Sequence, residues 1–548
     1  MADITIYQAK KIITMNPNQP FASHVAVRAG RILGAGTLAE LQGWGPYQLD
    51  KRFSDKIITP GFVEGHAHSM EGALWSNPYV GWFARSDPNG VMWQGLKSID
   101  EVLSSLASHC AGLSDEEAPL LAWGFDPIYM DNQRLTRQHL DQVSSTRPMG
   151  ILHASGHILS MNSKALAMAG LLREGIDHEG VPLDETGLPT GELKGPQIMM
   201  PAGKAIGLNK AFLSVSKSAL ENYGQLCVRA GVTTSADLGL ELDDDVVSLF
   251  AEVTGKDDYP VCLVAFRINF GITPKQIITD SIRYLERSTP RLELGKIKVV
   301  ADGSIQGFSA RMNWPGYYNG APNGLWYIAP EQLTEIYQGA LEHGLQVHIH
   351  TNGDEATDMA IEMLEIAGRS YGARDHRFTL QHCQLASRAQ FRKMARLGMC
   401  VNLFANHHYF WGDQHYNLTV GPERANRMNA CRTALDEGVM MAIHSDAPVT
   451  PLGPLFTAQS AITRMTATGR CLGKAQAISV EEALYAITMG ASETMKMDHE
   501  IGSIEVGKRA DFAILTKDPL TCPVAELADI PVWGTVQGGR IFDAQSRA

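Results

Sequence analysis

Short apolar runs alternate with longer amphipathic stretches between about residue 57 and residue 495, a pattern typical of repeated β-α units. Eight of the runs have the length and the polar flanks of buried strands: 57–63, 232–237, 261–267, 296–301, 345–350, 378–382, 399–403 and 440–445. Parallel strands read as continuous apolar runs because helices cover both faces of their sheet. The pattern therefore predicts an α/β protein centred on a distorted (β/α)8, or TIM, barrel.

Both ends of the chain follow a different pattern. Residues 3–16, 24–36 and 501–543 contain short strand-like segments that are broken by glycines. Two β-rich ends on either side of a long α/β middle suggest that the ends meet in one small domain. We therefore expect a small β-sandwich formed by residues 1–56 and 496–548.

One part of the barrel segment, 57–495, does not fit the β-α rhythm. Residues 71 to about 225 contain several Pro and Gly turns and the tryptophans Trp75, Trp82, Trp93 and Trp123. Long irregular segments in enzymes commonly carry function on a rigid scaffold. We expect an insertion between the first and second barrel strands that covers the site.

Composition and charge narrow the class of protein. A chain of 548 residues exceeds one ordinary core, and its 44% hydrophobic and 19% charged content is that of a globular enzyme. The formal net charge of −12 argues against a nucleic-acid partner, because phosphate binding requires a basic surface. The sequence shows neither a charged leader with an apolar block nor roughly 20 consecutive apolar residues. We therefore expect a cytoplasmic protein with no membrane partner.

Ligand-type side chains follow five of the predicted strands, at the ends where a TIM barrel carries its chemistry. They are His66, His68, Lys298, His348, His350, His382 and Asp446. Taken singly, a histidine is more often a hydrogen-bonded core residue, and Asp446 could cap a helix. The lysine is harder to explain, because a buried ammonium needs a partner or a modification. Their joint position at successive strand ends predicts a metal site.

Six short motifs carry a family resemblance that extends over nearly the whole chain. They are Pro-Gly-Phe-Val-Glu-Gly-His-Ala-His, Lys-Val-Val-Ala-Asp-Gly-Ser, His-Thr-Asn-Gly-Asp-Glu-Ala, Gln-His-Cys-Gln-Leu, His-Ser-Asp-Ala-Pro and Ile-Gly-Ser-Ile-Glu-Val-Gly-Lys-Arg-Ala-Asp. With these motifs the chain resembles the amidohydrolase superfamily, in particular the amidohydrolase 3 branch of YtcJ-like metal-dependent hydrolases. Within that branch it looks most like the N-substituted formamide deformylases. The resemblance implies a distorted barrel, a β-sandwich formed by both termini, and one or two divalent metals.

The resemblance also implies a ligand set. His66 and His68 would hold the more buried metal with Asp446, and His350 and His382 would hold the more exposed one. Carboxylated Lys298 would bridge the two ions, which are usually zinc, although another divalent metal would fit the same ligands. His348 departs from this pattern: it could support a ligand from behind or could displace a neighbouring ligand.

The implied chemistry is hydrolysis of a C–N amide bond by metal-activated hydroxide. A zinc ion lowers the pKa of bound water to about 7, so hydroxide is available at neutral pH. Asp446 is the expected general base and transfers the proton to the leaving nitrogen. The substrate is expected to be an N-substituted formamide or a similar N-aryl or N-alkyl amide.

An aromatic segment that follows the seventh predicted strand is the expected substrate pocket. It contains Phe404, His407 and His408, and one of the two histidines would donate to the developing oxyanion. Such a cluster can equally be core beneath a loop. His157 matches a Gly-His segment that faces the active site in this branch. Trp75 and Phe308 are further candidates for substrate contact.

Two other functions remain open. A deaminase acting on a cyclic amidine would use the same fold, but such members generally lack the bridging lysine and use a His-x-x-Glu pattern. A non-catalytic regulator would have lost metal ligands, whereas this chain contains candidates for all six. The resemblance further implies a homodimer, since dimers are common among relatives, and a small-molecule amide as the partner.

Overall fold

An eight-stranded parallel sheet lies at the centre of the chain in the computed structural model, which describes residues 4–115, 117–130, 133–213, 215–372 and 374–545. Its strands are Phe62–Ala67, Val232–Leu240, Cys262–Ile268, Leu292–Val300, Val347–Thr351, Thr379–His382, Cys400–Leu403 and Met440–Ile443, which follow one another around the sheet in chain order. Nearly every residue of these strands is buried, as parallel strands covered on both faces require. The predicted TIM barrel of the α/β class is confirmed.

Helices follow the strands and cover the sheet. They are Asp244–Gly255, Pro274–Leu285, Pro330–His343, Asp354–Gly368, Arg388–Leu397, His407–Gln414, Gly421–Arg427, Cys431–Asp436, Pro454–Thr463, Val480–Ala486 and Met489–Thr494. A π-helical turn, His415–Thr419, continues the helix that begins at His407. None of the described helices combines the length and the apolar character that crossing a bilayer requires.

Hydrogen bonds between the first and the last strand close the barrel. The backbone N–H of His68 donates to the carbonyl oxygen of Ala447 at 2.7 Å, and the N–H of Asp446 donates to that of His66 at 3.1 Å. Ala67 and Ala447 form a parallel bridge at the same place. The seam therefore sets the end of the first strand directly beside the segment that follows the last strand.

Strands from both ends of the chain hydrogen-bond into one seven-stranded sheet. In spatial order they are Arg540–Asp543, Val532–Gln537, Phe512–Leu515, Tyr47–Pro60, Ile4–Ile13, Phe21–Arg28 and Arg31–Gly36. Their common core includes Phe53, whose ring lies 5.3 Å from that of Trp533 and 5.7 Å from that of Tyr7. The residues that precede the barrel and those that follow it thus share one hydrophobic core.

The prediction that the first barrel strand covers 57–63 is wrong in its boundary. The long strand Tyr47–Pro60 belongs to the terminal sheet, where its last four residues pair with Phe512–Leu515. The barrel strand begins only after Gly61. A Cβ at Gly61 would lie 2.0 Å from Oγ1 of Thr233, so a side chain does not fit at this junction. The apolar run continues through the junction, and hydrophobicity alone therefore does not locate the boundary.

The chain divides into two compact units, residues 1–68 with 227–548 and residues 69–226. The second unit contains the predicted insertion, about 71–225. Its strands are Arg85–Ser86, Met92–Trp93, Leu120–Phe125, Met149–His153, Ile158–Met161 and Glu192–Lys194, and the last four form one sheet. Its helices include Glu71–Leu74, Ile99–Gly112, Arg137–Val143, Ser163–Met168 and Pro196–Ala205, and Lys217–Ala230 lies at its C-terminal boundary. This unit has hydrophobic cores of its own.

Candidate metal centre

The barrel seam brings three ligand-type side chains together. Oδ1 of Asp446 lies 3.2 Å from Nε2 of His66 and 3.2 Å from Nε2 of His68. Asp446 has a φ of 54°, a left-handed conformation that non-glycine residues adopt rarely and often at functional sites. One ligand atom from each of the three residues lies within 4.8 Å of the others, so the group could hold a metal ion.

Two further predicted ligands extend this cluster along neighbouring strands. The ring of His382 lies 4.6 Å from that of His66 and 4.4 Å from that of His350, measured between centroids. Nδ1 of His382 is 3.7 Å from Oδ2 of Asp446. Carboxyl ends of parallel strands meet at one edge of a sheet, which explains why residues far apart in the chain converge here.

Lys298 lies on the strand Leu292–Val300 and is 3% exposed. Burial lowers the pKa of its ammonium group to about 7, although the charge of Asp446 acts in the opposite direction. Among the described residues, Nζ of Lys298 has no hydrogen-bond partner. Buried amines are normally paired, so the arrangement fits a site that another group completes.

Unpaired polar atoms test whether these residues fit a metal. In the described part of the chain, Nδ1 of His382 and both ring nitrogens of His444 also lack hydrogen bonds. Each unmade buried bond costs about 1–3 kcal/mol, so folded proteins contain few of them. Burial lowers the pKa of His66 and of His382 far below the usual value, which leaves both rings neutral. Neutral imidazoles around a carboxylate are a fitting ligand set for a divalent cation such as zinc.

The charge of Asp446 supports the same conclusion. Burial alone raises the pKa of this carboxyl group, but the hydrogen bond with His68, together with the ionic contributions of His68 and Lys298, outweighs it. The net shift lowers the pKa of Asp446, so the group is an anion at neutral pH. A buried anion requires a cationic or hydrogen-bonded partner.

His444 is a residue of this cluster that sequence reasoning missed. It is fully buried, and its ring lies 4.7 Å from that of His66 and 5.0 Å from that of His382. These three histidines form a second group that could hold a metal ion. Burial lowers the pKa of His444 to about 3. The signal was present in the sequence, because His444 precedes Asp446 by the spacing that also separates His66 from His68.

Backbone atoms orient His350. Its Nε2 lies 3.1 Å from the carbonyl oxygen of Gly303 and 3.1 Å from Nδ2 of Asn352. Asn352 donates to the same carbonyl at 2.8 Å, and Asp302 accepts from the backbone N–H of Asn352 at 2.9 Å. These contacts hold the ring of His350 in place at the end of its strand.

Glu64 strengthens the contact between the first barrel strand and the segment after the last one, where the cluster lies. Its carboxyl oxygens accept from the hydroxyl of Ser445 at 2.8 Å and from the backbone N–H of His66 at 3.3 Å. Burial raises the pKa of Glu64 to about 8. The bonds join the first barrel strand to the residue that precedes Asp446, so Glu64 supports the cluster from behind.

The predicted pocket residue Phe404 borders the cluster. Its ring lies 4.8 Å from that of His444 and 4.9 Å from that of His407. Nδ1 of His407 lies 2.8 Å from Nε2 of His415, whose Nδ1 is 2.7 Å from the hydroxyl of Thr419. The π-helical turn therefore holds His407 by one edge of its ring.

Two other pocket candidates lie in different surroundings. Nε2 of His408 is 3.1 Å from the carbonyl oxygen of Met428, which also accepts from the buried guanidinium of Arg464 at 2.7 Å. Phe308 lies in the loop after the lysine strand, with its ring 5.1 Å from that of Tyr317. A substrate contact for either residue stays a prediction.

His157 and Trp75 belong to the second unit. The ring of Trp75 lies 5.0 Å from that of Trp123 and 5.9 Å from that of Tyr79, within an aromatic cluster of that unit. The backbone N–H of His157 donates to the hydroxyl of Ser155 at 3.3 Å. The predicted roles of both residues stay predictions.

Comparison with known proteins gives the class to which this barrel and its histidine cluster belong. A sequence profile described as the amidohydrolase family matches residues 54–543. The chain therefore belongs to the amidohydrolase family.

Similarity to individual proteins narrows the comparison within the family. It is similar to Protein LONG AFTER FAR-RED 3 of Arabidopsis thaliana, at 28% identity over 92% of this chain and 86% of the relative. Putative amidohydrolase YtcJ of Bacillus subtilis (strain 168) is 25% identical over 99% of both chains. N-substituted formamide deformylase of Arthrobacter pascens is 25% identical over 98% of both. The predicted resemblance to these last two groups is confirmed.

A solved structure supports the fold. An uncharacterized metal-dependent hydrolase from Pyrococcus horikoshii OT3 superposes with a TM-score of 0.72 at 19% identity, over 96% of this chain and 99% of that one. At this identity the likeness establishes the architecture, and the chemistry has to be argued from the site itself.

Proposed function

We propose that the chain hydrolyses a C–N amide bond in a small molecule with the help of one or two divalent metal ions. The observation that carries the proposal is the position of Asp446, whose carboxylate lies 3.2–3.7 Å from His66, His68 and His382. Family membership supports hydrolysis. The relative named N-substituted formamide deformylase supports an N-substituted formamide, or a similar N-aryl or N-alkyl amide, as the substrate.

The residues that would hold zinc are His66, His68, Lys298, His350, His382 and Asp446. Lys298 fits this set as a carbamate, because the neutral amine adds to carbon dioxide with loss of one proton and becomes an anionic oxygen ligand. A pKa of about 7 leaves part of the Lys298 population as the neutral amine that this reaction requires. When bound, zinc supplies a Lewis acid and lowers the pKa of water towards neutrality.

Asp446 acts as the base in the proposed reaction. One of its carboxylate oxygens takes the proton of the attacking water as the new C–O bond forms, and the proton then passes to the nitrogen as the C–N bond breaks. The lowered pKa of Asp446 keeps it ionised for this task. His407 donates to the carbonyl oxygen as negative charge develops on it.

The substrate wall is proposed to be aromatic. Phe404 lies beside the cluster, and its face favours an aryl or alkyl group on the amide nitrogen. His157, Trp75, Phe308 and His408 are proposed as further contacts. An apolar wall with few polar groups fits such an amide better than a sugar or a nucleotide.

A matched panel of amides tests the proposal. Zinc-loaded protein is incubated with N-benzylformamide, N-benzylacetamide and a cyclic amidine, and the release of formate, acetate and ammonia is measured. We expect formate from the first compound, loss of the activity on chelation, and recovery when zinc is returned. Ammonia from the amidine alone would instead identify a deaminase. No bound zinc and no turnover would identify a non-catalytic regulator.

A further inference from the structure

Four buried groups form an unbroken chain of hydrogen bonds that ends at His66. Nε2 of His348 lies 2.9 Å from the carbonyl oxygen of Thr494, and Nδ1 of His348 lies 2.8 Å from Nε2 of Gln381. Oε1 of Gln381 lies 2.8 Å from Nδ1 of His66. His348 and Gln381 are both 0% exposed, so water does not compete for these bonds.

The chemistry of Thr494 fixes the direction of every bond in this chain. A backbone carbonyl only accepts, so Nε2 of His348 carries the proton and Nδ1 of the neutral ring is an acceptor. Gln381 must then present its amide N–H to His348 and its oxygen to His66. Nδ1 of His66 is left as the donor, and its Nε2 is proton-free.

A second contact supports the orientation of the glutamine amide. Nδ2 of Asn402 donates to Oε1 of Gln381 at 3.0 Å, which agrees with an oxygen on this side of the amide. A Cβ at Gly65 would lie 2.9 Å from Nδ2 of Asn402, so the glycine beside His66 provides the space for this donor. The amide orientation that His348 requires is therefore also the one in which Gln381 accepts from Asn402.

The chain determines what His66 presents to Asp446. With the proton on Nδ1, the lone pair of Nε2 faces Oδ1 of Asp446 across 3.2 Å. Two acceptors at this distance repel each other unless a cation lies beside both. The bond chain thus prepares one nitrogen of His66 as a metal ligand before any ion arrives.

We propose that His348 is a positioning residue that acts through Gln381 to hold His66 in its metal-binding tautomer and orientation. The inference rests on the proposed metal-dependent function and adds to it a residue that touches neither metal nor substrate. It also decides between the two roles predicted for His348, which were support of a ligand and displacement of one. Both ring nitrogens of His348 are already hydrogen-bonded, one to Thr494 and the other to Gln381. His348 therefore supports a ligand from behind.

Zinc affinity, measured by competition with a chromogenic chelator on the full chain, tests the proposal. His348→Leu removes the acceptor for Gln381, and we expect zinc to bind roughly 10–100-fold more weakly. His348→Asn keeps an acceptor near the position of Nδ1 and is expected to restore most of this loss. The visible spectrum of the cobalt-substituted protein should change in His348→Leu and resemble wild type in His348→Asn.

Gln346→Leu is the matched control. Nε2 of Gln346 donates to the same Thr494 carbonyl at 2.6 Å, but among the described residues none of the side-chain hydrogen bonds of Gln346 leads towards His66. We expect this variant to lose stability, as judged by its melting temperature, and to keep its zinc affinity and cobalt spectrum. An equal loss of zinc in Gln346→Leu and His348→Leu would show a general structural effect and overturn the proposal.

The remaining outcomes are also decisive. If folded His348→Leu binds zinc as wild type does, the proposal is wrong while the proposed function stands. If His348→Leu does not fold, Gln381→Met carries the test, since it cuts the chain one bond nearer to His66, and unchanged zinc binding in it would overturn the proposal. Absence of zinc from the wild-type protein would instead contradict the proposed function itself.

Discussion

Lys296 and Lys298 lie two residues apart on one barrel strand, and therefore on the same face of it, yet their surroundings differ. Nζ of Lys296 lies 3.1 Å from Oε1 of Gln346 and 2.9 Å from the carbonyl oxygen of Met495. Within the described residues, Nζ of Lys298 has no hydrogen bond. The two side chains are 7% and 3% exposed, so burial does not explain the difference.

The same contrast separates two neighbouring groups of polar residues. The scaffold group, which consists of Lys296, Gln346, His348 and Gln381, is hydrogen-bonded throughout and is fastened to backbone carbonyls. The ligand group, which consists of Lys298, His382, His444 and Asp446, contains several nitrogens without partners among the described residues. In this cluster the hydrogen-bonded groups lie in the support of the site, and the groups without partners lie where a metal ion would bind.

The largest effect is expected from Asp446→Asn, which changes one member of the ligand group. Amide hydrolysis should fall roughly 10²–10⁴-fold, because the variant lacks the proposed base. The free energy of unfolding of the metal-free protein should change little, since the scaffold group remains bonded. Steady-state kinetics and urea denaturation measure the two effects.

Asp511→Asn is the control for this change. The buried Asp511 carboxylate directly precedes the strand Phe512–Leu515 of the terminal sheet, accepts from the N–H of Gly538 at 2.6 Å and pairs with Arg509 at 3.1 Å. The variant should lose stability and keep the turnover of its folded fraction. Near wild-type turnover by zinc-loaded Asp446→Asn would show that another residue is the base.

Acid should destabilise the scaffold group and the ligand group alike, because both contain buried neutral histidines. Burial lowers the pKa of His348 and of His382 far below the usual 6.5, and that of His153 in the second unit to about 3. At a pH between the lowered pKa of the folded chain and the usual 6.5 of the unfolded chain, only the unfolded chain binds a proton at each of these histidines. The free energy of unfolding therefore falls as pH is lowered below about 6.5, by about 2 kcal/mol at pH 5 for a histidine like His153.

Urea denaturation of the metal-free protein at pH 7 and pH 5 measures this loss. His153→Gln should recover about 2 kcal/mol of the difference between the two pH values, because glutamine does not take up a proton. His343→Gln makes the same change at an exposed helix end and serves as the matched control. The prediction fails if His153→Gln loses as much stability on acidification as the wild type.

The smallest effect is expected from paired lysine variants, which address the contrast most directly. Lys296→Met should lower the free energy of unfolding by about 1–3 kcal/mol, because it leaves the amide oxygen of Gln346 unpaired. Lys298→Met should leave the stability of the metal-free protein unchanged or raise it by about 1 kcal/mol, since it removes a buried amine that has no hydrogen bond. For amide hydrolysis we expect the larger loss in Lys298→Met and the smaller loss in Lys296→Met.

Thermal unfolding and activity of the same two preparations provide the measurement. Lys298→Met should be inactive, whereas Lys296→Met should keep the turnover of its folded fraction. If Lys298→Met is the less stable of the two variants, Lys298 belongs to the scaffold group and the contrast is wrong.

The sequence predicted the barrel because its signal is local. Buried parallel strands such as Val347–Thr351 are largely apolar runs, and the ligand-type residues lie within such runs or directly after them. The first strand was misplaced because the apolar run continues from Tyr47–Pro60 through Gly61 into the barrel. The hydrophobicity of that run does not mark the point where one sheet ends and the next begins.

Contacts between distant residues were beyond the reach of the sequence. Gln381 and His66 are 315 positions apart, and only the closed barrel shows that their side chains form a hydrogen bond. His444 was missed although its spacing from Asp446 is informative, because one histidine beside an obvious candidate has an ordinary explanation as core. Its lack of hydrogen-bond partners in the described chain is visible only in three dimensions.

The topology of the terminal sheet has a consequence for how the protein is made. Strand Tyr47–Pro60 pairs on one side with Ile4–Ile13, but its other partner, Phe512–Leu515, is synthesised about 450 residues later. At roughly 5–20 residues per second, the ribosome needs about 20–90 s to reach it. During that interval an apolar strand edge is open to pairing with other nascent chains. Expression yield should therefore depend on chaperone supply and on the rate of translation.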